Sequence, residues 1–409
     1  MKWAEGIDKI GIFLYLAISL FAVANIYSVD EGLGKKQLIF FLLSLFVGFI
    51  IFMMRTKFFE NFSGIFYIGG VLLLIGLFPF GKEILGQKNW YKFGGFTMQP
   101  VEFAKIGVSL MLANYVAGPD FNLKMRKSLL TSLAIIGIPA VVVLAIPDVG
   151  SLLVFTAFVI ALYREGLSGW LFVVGFVLAG VFLLSLAINP IYIVGSIIAI
   201  VGFFIFFNFN RIHWNIPTIL SIVGAVGFLA AISLGTPKIL EKLPKHQRER
   251  IEVLYKGEKA FRDTSGYNLL YSKTAIGSGG FFGKGYKQGS VTQGKFVPEQ
   301  ETDYIFCTVG EEWGFLGSFL LVLFYAIYIG RIYFLAENQK STFNRVFGYC
   351  FAGILLMHFA INLGMVMGLF PTVGIPLPYF SYGGSSFLAF SIMTAIFFKL
   401  NYADKNSLV

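Results

Sequence analysis

The chain has 409 residues, of which 57% are hydrophobic and 13% charged, and a formal net charge of +10. Charged residues make up about half of the quarter usual in soluble domains, which excludes a water-soluble globule and implies an all-α polytopic membrane protein, since helices satisfy their own backbone groups in lipid. Two cysteines, Cys307 and Cys350, lie in or beside apolar segments without paired spacing, so neither a disulfide framework nor a metal knuckle is expected.

In chain order, apolar stretches approaching the roughly 20 residues that cross a hydrocarbon core fall near residues 10–28, 37–54, 63–80, 101–117, 128–146, 149–163, 169–187, 191–208, 216–235, 313–334, 346–369 and 384–399. About 12 transmembrane helices in one membrane domain, 1–409, are therefore expected. The stretch that follows Met1 to Lys9 is too long for a signal peptide and lacks a small-residue cleavage site, so it reads as the first span. The fourth stretch contains Glu102 and Lys105, and the sixth is short.

The connections 55–62, 118–127, 164–168, 208–215 and 336–345 each carry lysine or arginine, which predicts that both termini are cytoplasmic. Parity then makes residues 236–312 a large extracytoplasmic loop. More than a third of the chain's 32 lysines and arginines lie there, among them Arg248, Arg250 and Lys273. Long loops translocate regardless of charge, so the basic content reads either as a site for an anionic ligand or as a solvated loop near anionic headgroups. Inside it, Ala275 to Tyr286 is dense in glycine but lacks the first glycine and the Ser or Thr of a Walker loop. It is either a turn-rich surface or re-entrant loop, or a cradle for a lipid-linked phosphate.

Residues 296–317 then set Asp303 and the pair Glu311 and Glu312 against an apolar segment. Ionised carboxylates persist at a membrane face when they are paired, wet or chemically used. Glu311 and Glu312 are expected to anchor or cap the helix that follows. Glu102 and Lys105, three apart on one helix face, can pair with each other, Asp148 can cap the sixth span, and His358 reads as a hydrogen-bonded core residue. His213 and His246 lack metal-like companions, so no histidine-ligated zinc is expected. Finally, Asn362 to Ser385 is broken by Pro371, Pro376 and Pro378, which forces irregular backbone on the same outer face as Asp303.

The runs Gln99–Lys105, Pro147–Gly150, His246–Ile251, Ala275–Gly280 with Gly283–Gly285, Pro298–Asp303, and Gly374–Pro378 with Ser381–Ser385 resemble the SEDS family (shape, elongation, division and sporulation), on its RodA-like side. The resemblance implies a peptidoglycan glycosyltransferase of the cell-shape type that polymerises lipid II at the outer face of the bacterial cytoplasmic membrane, with a class B penicillin-binding protein as partner, membrane lipids around it and no nucleic acid. It places Asp303 on the family's essential aspartate. The family's usual ten spans imply that residues 188–235 insert an extra pair. Glu301 stands where the family usually has histidine, and Val101 where it has serine.

Strand extension requires a sugar hydroxyl to attack an anomeric carbon bearing a lipid pyrophosphate, so a general base and cations for the departing charge are needed. Asp303 is the expected base, and Glu301 is a negative neighbour able to raise its pKa. Arg248, Arg250 and Lys273 are expected to hold the pyrophosphate. Glu102, Lys105, Glu299 and Ser385 complete the expected substrate-binding set. By resemblance the displacement is single and inverting. No cofactor is evident, although a divalent ion bridging Asp303 and pyrophosphate is compatible with this chemistry. A precursor flippase and a non-catalytic scaffold for the partner synthase stay open as alternatives.

Overall fold

A computed structural model describes residues 6–84, 87–94 and 96–406. Its helices in chain order are α1 (Lys9–Val29), α2 (Glu31–Met53), α3 (Thr56–Asn61), α4 (Ser63–Ile75), α5 (Leu77–Phe80), α6 (Pro100–Val116), α7 (Arg126–Ala145), α8 (Val149–Val154), α9 (Ala157–Arg164), α10 (Trp170–Ala187), α11 (Pro190–Asn208), α12 (Ile216–Lys242), α13 (Lys245–Lys256), α14 (Tyr267–Ser278), α15 (Ser290–Gln293), α16 (Phe306–Glu337), α17 (Thr342–Val366) and α18 (Gly384–Asn406). All twelve expected segments are helical. Ten are long and apolar enough to cross a membrane among the described residues. The other two are α6, with 17 residues, and the α8–α9 stretch, Val149–Arg164.

Between α5 and α6 the all-α expectation fails locally. Strands β1 (Lys82–Ile84), β2 (Gln87–Phe93) and β3 (Phe96–Met98) form an antiparallel sheet in the order β1-β2-β3. Phe93 pairs with Phe96, and Gly94 adopts a φ of +59°, the left-handed turn that a tight hairpin requires. The segment is too short and too polar to span, so it pairs its backbone groups as a sheet.

The chain divides into two compact units, one formed by residues 1–167 with 271–409 and the other by residues 168–270. In the first, α4 packs on α6, α2 on α18, and α17 on α6, α9 and α16. The central helices α17 and α18 bury most of their residues. In the second, α10, α11 and α12 share a small apolar cluster of Val181, Ile193 and Ile197, and Ser185 bonds Ser233 at 2.9 Å. Phe203, Phe204, Phe206 and Phe207 of α11 are exposed, as residues facing lipid are. The expected insertion, 188–235, comprises α11 and most of α12, and falls wholly in this unit.

Ion pairs agree with the parity of the connections. Arg164 bonds Glu337 at 2.5 Å and Arg345 bonds Glu165 at 2.8 Å, tying 164–168 to 336–345 at one end. At the other end the Tyr382 amide donates to the Glu301 carbonyl at 2.8 Å.

Candidate active site

Asp303 lies in the irregular stretch just before α16 and is half-buried. The turn leading to it is built on Glu299, whose φ of +55° is left-handed and whose carbonyl accepts from the Thr302 amide at 3.2 Å. Three contacts then join this turn to the proline-broken segment. The Asn362 amide of α17 donates to the Asp303 carbonyl at 2.8 Å and to the Ile375 carbonyl at 2.7 Å. The Tyr304 hydroxyl meets Thr372 Oγ1 at 2.9 Å. Gly374, at a φ of +72°, passes so close that a Cβ there would lie 3.2 Å from Asp303 Oδ2. The expected meeting of Asp303 with the irregular 362–385 segment is therefore present.

Beside this junction is an open cleft of about 190 Å³, lined by Val29, Asp30, Leu33, Lys295, Val297, Pro298, Glu299, Gln300 and Glu301. Lys295 lies 3.8 Å from Asp30. Burial pushes the Glu299 carboxyl above the usual glutamate range, and the Glu301 charge pushes it the same way. Among the described residues no three His, Cys, Asp or Glu side chains gather as a metal cage.

The glycine-dense stretch is a packing device. The Lys284 and Gly285 amides donate to the Glu311 and Glu312 carbonyls at 2.9 and 3.0 Å, and Gly280 and Phe281 carbonyls accept from Phe315 and Leu316. α16 kinks at Gly314, where φ is +65° and ψ −160°. Backbone amides already paired in this way do not cradle phosphate, which corrects that expectation for Lys284 and Gly285. Glu311 and Glu312, expected to anchor or cap the helix that follows, lie inside α16 (Phe306–Glu337) and tie it to the preceding loop and to Ser28. Glu311 accepts from Lys284 Nζ at 2.6 Å and from the Val291 and Thr292 amides at 2.9 and 2.8 Å, while Glu312 accepts from Ser28 at 2.5 Å and Gln293 at 3.0 Å.

Beneath the proline-broken segment, Lys105 bonds Glu102 at 2.8 Å and His358 Nε2 at 2.6 Å, and His358 Nδ1 lies 3.0 Å from the Pro376 carbonyl. Glu102 and Lys105 are 2% and 1% exposed, and through His358 they brace the segment from below. Ser385 is also buried, and its hydroxyl accepts from the Gln99 amide at 3.2 Å, locking the entry to α6. Asp148 caps α8 through the Ser151 amide at 2.9 Å, as the Pro-Asp-Val-Gly run predicts.

Of the expected pyrophosphate ligands, Arg248 and Arg250 lie in the unit of residues 168–270 and Lys273 in the unit that holds Asp303. Arg248 sits on α13 and pairs with Glu252 of the same helix at 3.7 Å. Arg250 is on α13 too, and Lys273 is exposed on α14. Other loop bases are similarly engaged, with Lys287 2.8 Å from Glu31. The sequence reading passed over Asn362 as a residue in its own right, and over Asp30 and Gln300. The signal for Asn362 is its spacing from His358, two polar residues four apart in the otherwise apolar second half of α17.

The family model described as cell cycle protein, FtsW–RodA–SpoVE, matches residues 4–199 and 181–406. Peptidoglycan glycosyltransferase MrdB of Escherichia coli K12 is 29% identical over 386 residues, covering 93% of this chain and 90% of that protein. Peptidoglycan glycosyltransferase RodA of Treponema pallidum is 27% identical over 439 residues, covering 98% and 99%. The fold matches a chain of a solved peptidoglycan synthase complex described as coordinating polymerization and crosslinking, with a TM-score of 0.73 at 23% identity over 97% and 98% of the two chains. It also matches crystalline Thermus thermophilus RodA, at 0.64 and 23% over 99% of each. With both halves of the chain matched by one family model, the protein belongs to the FtsW–RodA–SpoVE family.

Proposed function

We propose that this protein is a peptidoglycan glycosyltransferase of the cell-shape type, polymerising lipid II at the outer face of the bacterial cytoplasmic membrane, with Asp303 as general base. The observation that carries the reading is the placement of Asp303: a half-buried carboxylate on a backbone clamped by Asn362, next to a polar cleft. The relatives named peptidoglycan glycosyltransferase support the reaction class.

In the step itself, the acceptor hydroxyl gives its proton to the Asp303 carboxylate as its oxygen bonds the anomeric carbon. The bond from that carbon to the lipid pyrophosphate breaks, and the pyrophosphate leaves with the electron pair. One such displacement inverts the sugar from an alpha to a beta linkage and forms no covalent enzyme intermediate. Cations are needed for the departing charge. Lys273 and Lys295 are the candidates in the unit that holds Asp303. Were a divalent ion to take part, the Asp303 carboxylate would hold it and the ion would supply positive charge for the departing pyrophosphate. The positive connections favour cytoplasmic termini. A class B penicillin-binding protein is the proposed partner, in keeping with the synthase complex whose chain shares this fold.

The test is polymerisation of purified lipid II by the full-length protein, with and without its penicillin-binding partner. Asp303→Asn should abolish polymer while the folded protein and its partner complex survive. Polymer formed by Asp303→Asn at the wild-type rate would rule out the base.

A further inference from the structure

His358 and Asn362 stand four residues apart on α17, and so on one face of it. Both are buried, at 1% and 0% exposure, and they grip consecutive carbonyls of the proline-broken segment: His358 that of Pro376, and Asn362 that of Ile375. An ammonium has only hydrogens to offer, so Lys105 donates to His358 Nε2 and the ring proton sits on Nδ1, where it can donate to Pro376. The Asn362 nitrogen carries two hydrogens and spends both on carbonyls, those of Ile375 and Asp303. Among the described residues its Oδ1 has no hydrogen-bond partner. An unpaired buried oxygen costs about 1–3 kcal/mol, so the side chain is oriented by its two donor bonds at the expense of its acceptor.

At Gly374 a Cβ would lie 3.2 Å from Asp303 Oδ2, so only glycine leaves the carboxylate its room there. The residue is thus held between a helix and a left-handed glycine. We propose that Asn362 is a positioning residue for sugar transfer: by bonding the Asp303 and Ile375 carbonyls together, it makes rigid α17 set the reach of the Asp303 carboxylate toward the acceptor hydroxyl. The inference rests on the reading of Asp303 as general base. Asn362 touches no substrate; it acts through Asp303, and His358 holds the neighbouring carbonyl in step.

The experiment measures initial rates of polymerisation against lipid II concentration for the full-length protein with its partner, normalised to folded protein by size exclusion and thermal unfolding. Asn362→Leu, close in shape but without donors, should lower kcat about 100-fold, the effect of a misplacement of about 1 Å, and leave KM within about twofold. Asn362→Gln keeps both hydrogens and should recover at least about tenfold of that loss. Gly374→Ala crowds the carboxylate and should show the same split, which keeps the idea testable if Asn362→Leu does not fold.

A merely structural role would reduce the amount of folded protein and leave kcat per folded molecule at the wild-type value in both Asn362→Leu and Gly374→Ala; that result overturns the proposal. Asp303→Asn is assayed in parallel. Wild-type turnover by Asp303→Asn overturns the base assignment, whereas an inactive Asp303→Asn beside wild-type kcat in the Asn362 and Gly374 variants overturns the positioning role alone.

Discussion

Lys284 Nζ lies 2.6 Å from Glu311 Oε1, and Glu311 is fully buried. The carboxylate also collects two backbone amides from the 284–293 stretch, so one acid folds the loop preceding Asp303 onto the start of α16. Glu311→Ala would orphan both amides. At about 1–3 kcal/mol for each of the two unsatisfied buried amides, it should cost roughly 2–6 kcal/mol, read as a lower midpoint of thermal unfolding in detergent. Glu311→Gln retains an acceptor oxygen and should lose less. Equal loss in both would show that the two amides find other partners.

Glu102 and Lys105 make a buried pair at 2.8 Å. Removing one partner of such a pair leaves an uncompensated charge and typically costs about 3–5 kcal/mol, whereas replacing both by apolar groups of similar volume is often neutral. Lys105→Met alone should destabilise strongly, and Glu102→Leu with Lys105→Met should recover much of the loss. Activity need not follow stability, because His358 loses its Lys105 bond in both.

Glycines near the kink of α16 differ in what a methyl group would meet. At Gly283, with a φ of +83°, a Cβ would collide with the Glu312 carbonyl; at Gly277 it meets nothing within 4 Å. Gly283→Ala should therefore cost several kcal/mol or prevent folding, since the backbone conformation and the space are both wrong. Gly277→Ala, inside α14, should be neutral or stabilise by up to about 1 kcal/mol. The paired melting curves check the contrast.

Glu299 gives a pH dependence with a definite sign. Its carboxyl is raised above the ordinary value of 4.5 by burial and by Glu301, so the folded state favours the protonated form. That contribution is full below the ordinary value and is lost as pH rises through the raised one. Glu299→Gln removes the titration. Its melting midpoint relative to the wild type should climb as pH rises from about 4 through the raised value and stay level above it. A difference that does not change with pH would show that Glu299 carries no such shift.

Local pattern in the chain was enough for the membrane architecture. Runs of apolar residues dictate helices because lipid offers no partner for backbone groups, and all twelve expected segments are helical. Capping by Asp148 and pairing of Glu102 with Lys105 were legible too, since each depends on residues three apart on one helix. The sheet at 82–98 was not legible, because Gln87 to Phe93 opens on three polar residues and sets Trp90 beside Tyr91, without the strict alternation that marks a strand.

The site divides along the same line. Asp303 stood out by itself as an acid against an apolar segment, and family resemblance gave it a role. That Asn362, 59 residues away, holds its backbone, that Gly374 closes on its carboxylate, and that the glycine-dense stretch serves the kink of α16 all depend on packing. These contacts join segments distant in the chain, and a residue's own neighbours in sequence carry no record of which carbonyl its side chain will meet.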